Sequence, residues 1–269
     1  MKPQLKIFKK TVRDFYRTGK RDLPWRTTRN PYHIMVSEIM LQQTQVDRVI
    51  GFYHRWLKLF PTTKALARAP LKQVLVAWQG LGYNRRGVNL KRAAEIIEKK
   101  FNGKIPATTE ELLSLPGIGP YTASAVLAFA FNIPSVLIET NIRSVYIHHF
   151  FPRSKKIHDS KLLPLIEQTL DRKNPREWYA ALMDYGSHLK KTSGNKSRQS
   201  KHYTRQSIFK GSTREERSKI LKAVLESSHN LKTIRKRTAL PLVTFKKHLN
   251  TMTREGIVSL KKGIISIAP

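Results

Sequence analysis

The sequence contains no cysteine, which excludes disulfides, thiolate metal sites and cysteine nucleophiles together. Acidic residues are scarce: 18 Asp and Glu stand against 51 Lys and Arg, a formal charge of +33 over 269 residues. Such an imbalance favours a polyanionic partner, and nucleic acid fits it better than an acidic protein surface. Long apolar runs are missing too. None approaches the ~18 residues a membrane span needs, and the first 25 residues alternate apolar with charged positions, unlike a secretory signal. The expectation is a cytoplasmic protein, nucleoid-associated if bacterial, with no membrane partner. His148, His149 and His188 lack a metal-binding spacing, so no metal site built from side chains is expected.

Against these absences stands a helical pattern. Apolar positions recur at a spacing of three or four, as at Ile7, Val12, Phe15 and Tyr16 and again at Leu71, Val74, Leu75 and Trp78. Thr108-Thr109-Glu110-Glu111 marks a helix start, while Gly80, Gly82, Pro106, Pro134 and Pro175 punctuate. The fold class expected is all-α. Residues 213–269 read as a separate module: helices near 213–226, 231–237 and 241–254, then a hairpin turning at Lys261-Lys262-Gly263. Three helices and a hairpin suggest a winged helix, which presents Thr244, Lys246, Lys247 and Asn250 to DNA or else binds protein. Between Lys190 and Lys210 the chain carries seven cations and no acid. It is either a solvated linker or a phosphate-binding loop anchored by Tyr203 and Phe209.

Two segments carry chemistry. Leu115-Pro116-Gly117-Ile118-Gly119-Pro120-Tyr121-Thr122-Ala123 is a glycine turn opening a helix, where Gly117 and Gly119 allow close approach and backbone N–H groups point at an anion. Alone, such a turn merely joins two helices. Ser37-Glu38-Ile39-Met40-Leu41-Gln42-Gln43-Thr44-Gln45 places Glu38 in apolar company, where desolvation raises a carboxyl pKa towards that of a general acid. By composition alone, Glu38 would pair with a cation on a helix surface.

Together with Leu23-Pro24-Trp25-Arg26, Pro31-Tyr32, Gly80-Leu81-Gly82-Tyr83 and Asn141-Ile142-Arg143, these segments follow in order across residues 20–190. The chain thereby resembles the helix-hairpin-helix DNA glycosylase superfamily, most closely its MutY-like adenine glycosylase branch. The resemblance implies a helical barrel over residues 27–134, a second helical domain from residues 1–26 and 135–190, and an active cleft between them. Residues 191–212 then form a basic linker in place of the iron–sulfur loop of that branch. Met183-Asp184-Tyr185-Gly186 is followed by no thiol, so neither the cluster nor any other cofactor is expected.

By the same resemblance Glu38 protonates the departing base, and Glu139 occupies the position where the family carries an Asp that stabilises the sugar cation. Glu139 is the main chemical departure, because it sets the carboxylate one methylene further out, ~1.5 Å away, where a ~1 Å error costs on the order of 100-fold. Asn141 bonds near the sugar, or simply caps a helix. Tyr121 stands where strand-nicking relatives place a lysine, and a phenol forms no Schiff base, so the enzyme is expected to be monofunctional. Gln42, Gln43, Thr44, Leu81 and Tyr83 match the wedge and opposite-strand reader that base extrusion requires, although Leu81 taken alone would simply pack its loop. Arg26, Arg86 and Asp184 match pocket positions, or pair with opposite charges. Backbone carbonyls of Leu113, Leu115 and Ile118 match a monovalent-cation site of related hairpins. The implied partner is double-stranded DNA with a lesion or mismatch, bound by a monomer, and the first substrate is adenine opposite 8-oxoguanine or guanine. Relatives in that branch also carry an 8-oxoguanine-reading domain, which residues 191–269 do not resemble, leaving thymine or uracil opposite guanine, another lesion, or DNA binding without chemistry as alternatives.

Overall fold

The computed structural model describes residues 3–226 and 229–269, and these are mostly helical. The first helices are α1 (Pro3–Gly19), α2 (Pro24–Thr27), α3 (Pro31–Leu41) and α4 (Val46–Leu59), then α5 (Thr63–Arg68), α6 (Leu71–Trp78) and α7 (Arg85–Phe101). There follow α8 (Thr109–Leu113), α9 (Pro120–Phe131), α10 (Thr140–Phe150), α11 (Asp159–Thr169) and α12 (Pro175–Thr192). The C-terminal part holds α13 (Thr213–Glu226), β1 (His229–Asn230), α14 (Leu231–Thr238), α15 (Leu242–Arg254), β2 (Val258–Lys261) and β3 (Ile264–Ile267). Among the described residues no helix is long and apolar enough to cross a membrane.

The chain divides into two compact units. One comprises residues 3–38, Ala107–Ser114 and Ile118–Arg205; the other comprises Ile39–Pro106, Leu115–Gly117 and Gln206–Pro269. These limits depart from the expected ones. Helix α9 was assigned to the barrel, but Ala125, Ala128 and Phe129 share the core of α10, α11 and α12. The C-terminal helices and strands group with residues 39–106 rather than standing apart.

In the first unit, Phe8 and Val12 of α1 enter a core with Val145 and Tyr146 of α10, Ile166 of α11, and Trp178, Tyr179 and Leu182 of α12. Ile7, expected on the apolar face, is 67% exposed, since Leu5, Phe8 and Val12 already define that face. Helix α12 crosses the start of α10 at Gly186, where a Cβ would collide with the Asn141 carbonyl. Only glycine permits that approach.

The segment after α12 forms a 3₁₀ turn at Lys196–Gln199 and is pinned by serine. The Ser197 N–H donates to Ser144 Oγ at 3.1 Å, and both Ser197 and Ser200 are buried. The expected aromatic anchors do not serve: Tyr203 and Phe209 are 36% and 51% exposed.

In the second unit Leu71, Val74, Leu75 and Trp78 of α6 are all buried as their spacing predicts, and Trp78 meets Trp56 of α4 edge-on at 5.2 Å. Helices α13, α14 and α15 bury Ile220, Val224, Ile234, Phe245, Leu249 and Met252. Beside them an antiparallel sheet runs in the order β1-β3-β2. Strand β1 was not foreseen. Lys262 and Gly263 turn the β2–β3 hairpin with φ of 48° and 75°, the paired left-handed angles of a tight two-residue turn.

Candidate active site

Helix α3 is apolar on nearly every side: Ile34, Met35, Val36, Ile39 and Met40 are at most 1% exposed. Glu38 shares that burial at 5%, and the Tyr121 hydroxyl donates to its Oε2 at 2.9 Å. Desolvation pushes the Glu38 carboxyl up to about 7. The Tyr121 bond and the Arg26 charge oppose that rise, and the nearby Glu139 charge adds to it. Tyr121 itself is held far above the ordinary phenol range by burial and by both carboxylates. It is a hydrogen-bond donor at neutral pH, not a nucleophile.

Glu139 is the N-cap of α10. Its Oε1 accepts the Asn141 and Ile142 backbone N–H groups at 2.7 and 2.8 Å, while Oε2 accepts the Asn141 side-chain amide at 3.3 Å. The capping residue is thus Glu139 and not Asn141, which lies inside the first turn. Burial raises the Glu139 pKa, while the two backbone bonds and the charges of Arg143 and Arg21 draw it back. Curling back onto the helix end takes up part of the reach of the extra methylene. Arg143 is itself fixed by two 2.8 Å bonds to Asp159.

Asp184 and Arg26 come to the same place. The Asp184 carboxylate is fully buried and accepts the Arg21 N–H at 3.1 Å, Arg21 Nε at 2.8 Å and Arg26 Nη2 at 3.4 Å. Arg176 donates to the carbonyls of Arg26 and Thr28 at 2.8 and 2.6 Å, fixing the end of α2. Arg26 lies over the Phe129 ring, 5.5 Å from its centre. Arg21 and Arg176 escaped the sequence reading, because a basic residue in a chain this basic carries no signal of its own. One unit therefore holds Glu38, Tyr121, Glu139, Asn141, Arg26 and Asp184: a carboxylic acid poised near neutrality, a second carboxylate capping α10, and a third paired with the Arg21 and Arg26 cations.

The sequence profile of the HhH-GPD superfamily of base excision DNA repair proteins matches residues 36–169. The chain belongs to this superfamily. Its HhH-GPD relatives include the adenine DNA glycosylase of Buchnera aphidicola subsp. Baizongia pistaciae, 38% identical over 186 residues, which are 67% of this chain and 52% of that protein. The adenine DNA glycosylase of Rattus norvegicus is 36% identical over 193 residues, covering 67% of this chain and 37% of the relative. The chain thus spans about half, or less, of the length of these curated relatives. A solved thermostable thymine-DNA glycosylase superposes with a TM-score of 0.61 at 26% identity, over 68% of this chain and 86% of that one.

Of the HhH-GPD hairpin glycines, only Gly117 takes a left-handed angle, with φ of 83°. Gly119 is extended and caps α9, with Pro120 following at the first helical position; a Cβ there would meet nothing. Leu113 and Ile118 lie in the first unit; Leu115 lies in the second, as do Arg86, Gln42, Gln43, Thr44, Leu81, Tyr83, Lys246 and Lys247. Arg86 is not a pocket residue. Its buried guanidinium donates from Nη1 to the carbonyls of Ile39, Met40 and Gln42 at 2.6–2.9 Å, and from Nη2 to Thr44 Oγ1 and the Leu81 and Gly82 carbonyls at 3.1 Å. It binds residues 39–44 to residues 81–82. Leu81 is 5% exposed and packs inside the loop, so it is no free wedge. Gln43 is exposed and Tyr83 half-buried, both with left-handed φ, of 56° and 48°. Lys246 and Lys247 are exposed on α15 beside Val243 and Asn250. Among the described residues no three His, Asp or Glu side chains cluster as a metal site.

Proposed function

We propose that this chain is a monofunctional DNA N-glycosylase of base excision repair, taking double-stranded DNA with a lesion or mismatch and releasing adenine opposite 8-oxoguanine or guanine. The observation that carries the reading is the buried Glu38 carboxyl, raised to about 7 beside a second, hydrogen-bonded carboxylate. The adenine glycosylase relatives supply the base. As the bond between the sugar and the base stretches, its electron pair moves to the base, and the Glu38 proton passes to a ring nitrogen so that the base leaves neutral. The sugar carbon becomes cationic, and the Glu139 carboxylate stabilises it. Water adds to that carbon, and the proton it sheds restores Glu38. With no lysine at position 121 there is no Schiff base, so the strand stays intact until alkali cuts the abasic site. With no cysteine, the protein requires no iron–sulfur cluster.

Labelled duplexes carrying adenine opposite 8-oxoguanine, adenine opposite guanine, and thymine or uracil opposite guanine test this. Alkali-dependent cleavage at adenine, lost in Glu38→Gln, is the expected result; release of no base would sink the reading. The likeness to a thymine-DNA glycosylase supports a second reading, thymine release opposite guanine, which the same duplexes separate from the first.

A further inference from the structure

Residues 206–214 lie against the turn that carries Tyr83. Gln206 Nε2 donates to the Tyr83 hydroxyl at 3.0 Å and to the Gln43 carbonyl at 3.4 Å, so a single amide joins two residues of left-handed backbone. The Arg214 guanidinium sits over the Tyr83 ring, 5.2 Å from its centre, and over Phe209 at 5.9 Å. Arg214 also donates to the Ser207 carbonyl, while the Ser212 N–H and hydroxyl donate to the Phe209 carbonyl at 3.0 and 2.6 Å. The segment therefore has a defined shape of its own.

Its tip is out of keeping with a solvated linker. Ile208 is 78% exposed and Phe209 51%, a pair of large apolar side chains in water, with Lys210 and Arg214 close by in the sequence, while the nearest acid, Glu215, accepts the Gly211 N–H at 2.6 Å. An apolar pair whose one acidic neighbour is already engaged by Gly211 and Lys219 presents cations around it, not the mixed polar rim of a protein interface. It suits a nucleic-acid strand, where cations meet phosphates and an aromatic face meets a base. We infer that residues 206–214 form a second DNA-contact element, in which Phe209 stacks on a base and Gln206, holding Tyr83, reads the strand opposite the excised base. With its N–H groups given to Tyr83 and Gln43, the Gln206 amide leaves its oxygen as an acceptor, which distinguishes a base edge that donates from one that only accepts. The element thereby sets opposite-base preference. This rests on the glycosylase reading for its geometry on DNA, but its test does not need base release.

Equilibrium binding by fluorescence anisotropy tests it on duplexes bearing an uncleavable abasic analogue opposite 8-oxoguanine, guanine, cytosine or thymine. Phe209→Ala is expected to weaken binding to all four by about 10-fold, the scale of one lost stacking contact, with Phe209→Trp restoring it. Gln206→Ala is expected to shrink the spread of affinities between opposite bases at least 3-fold. Wild-type affinity in Phe209→Ala would overturn the inference and leave the apolar tip to a protein partner. An unchanged spread in Gln206→Ala would overturn the reader role. If the wild-type protein discriminates among these duplexes yet releases no base, the catalytic reading fails while this one stands.

Discussion

The Tyr121 phenol donates a 2.9 Å hydrogen bond to the Glu38 carboxyl, a group that burial has pushed up to about 7. The bond favours the ionised carboxylate and so restrains the rise that burial causes. An acid must be protonated to act, so single-turnover base release is expected to fall tenfold per pH unit above about 7. In Tyr121→Phe the restraint is gone, and that limb should move to higher pH. A limb that stays in place would show that Tyr121 does not tune Glu38.

The same burial sets a stability cost. A carboxyl whose folded pKa exceeds its unfolded value stabilises the fold when protonated, fully below the unfolded value of 4.5, and that contribution is lost as pH rises to about 7. The loss is about 3 kcal/mol over this interval. Glu38→Gln is neutral throughout. Urea unfolding should find it more stable than wild type at pH 8, with the difference between the two growing from pH 5 to 7; Glu139, whose raised pKa lowers stability as pH rises, and His148 and His149, whose lowered pKa values raise it, contribute to both profiles alike.

Glu139 has two duties, and the variants separate them. Glu139→Asp keeps a capping carboxylate and is expected to retain base release within about 10-fold and stability within about 1 kcal/mol. Glu139→Ala should lose the cap at a cost of about 1 kcal/mol and with it most base release. Thermal melts and single-turnover rates on one preparation check both. Full activity in the alanine variant would remove Glu139 from the chemistry.

Gly186→Ala sets a methyl group against the Asn141 carbonyl where α12 crosses α10. The expected cost is about 1–3 kcal/mol, read as a lower melting temperature, with base release reduced through displacement of Glu139 and Asn141.

Arg86→Met leaves several carbonyls of residues 39–42 and 81–82 without their donor. A loss on the order of 3 kcal/mol is expected. Hydrogen exchange at residues 42–44 and 81–83 should quicken well before it does elsewhere.

Side chains that act through a repeating pattern were the legible ones. The four apolar positions of α6 declared themselves by spacing, the Gly117 turn by its glycine, and Glu38 by the apolar run around it. What stayed hidden depends on backbone partners. Nothing in the pattern says that Arg86 spends its donors on main-chain carbonyls, or that Glu139 curls back to cap its own helix. Leu81 and Phe209 were each open to two readings for a related reason: hydrophobicity states a preference for burial, and the three-dimensional arrangement decided that Leu81 obtains it by packing its loop and Phe209 does not. Ile7 is the same case within one helix, where a slightly rotated stripe was already complete without it. Gln206 and Tyr83 are 123 residues apart, and their hydrogen bond has no local trace.

Glu38 and Glu139 would leave different records in a lineage that lost its chemistry. Glu139 caps α10, so selection for folding alone retains it, and its presence in a descendant says little about catalysis. Glu38 is buried against the interest of the folded state. A protein relieved of catalysis would gain by exchanging it for a neutral side chain, and drift would favour that exchange. A chain that still carries this carboxyl is bearing a load that folding by itself would have shed.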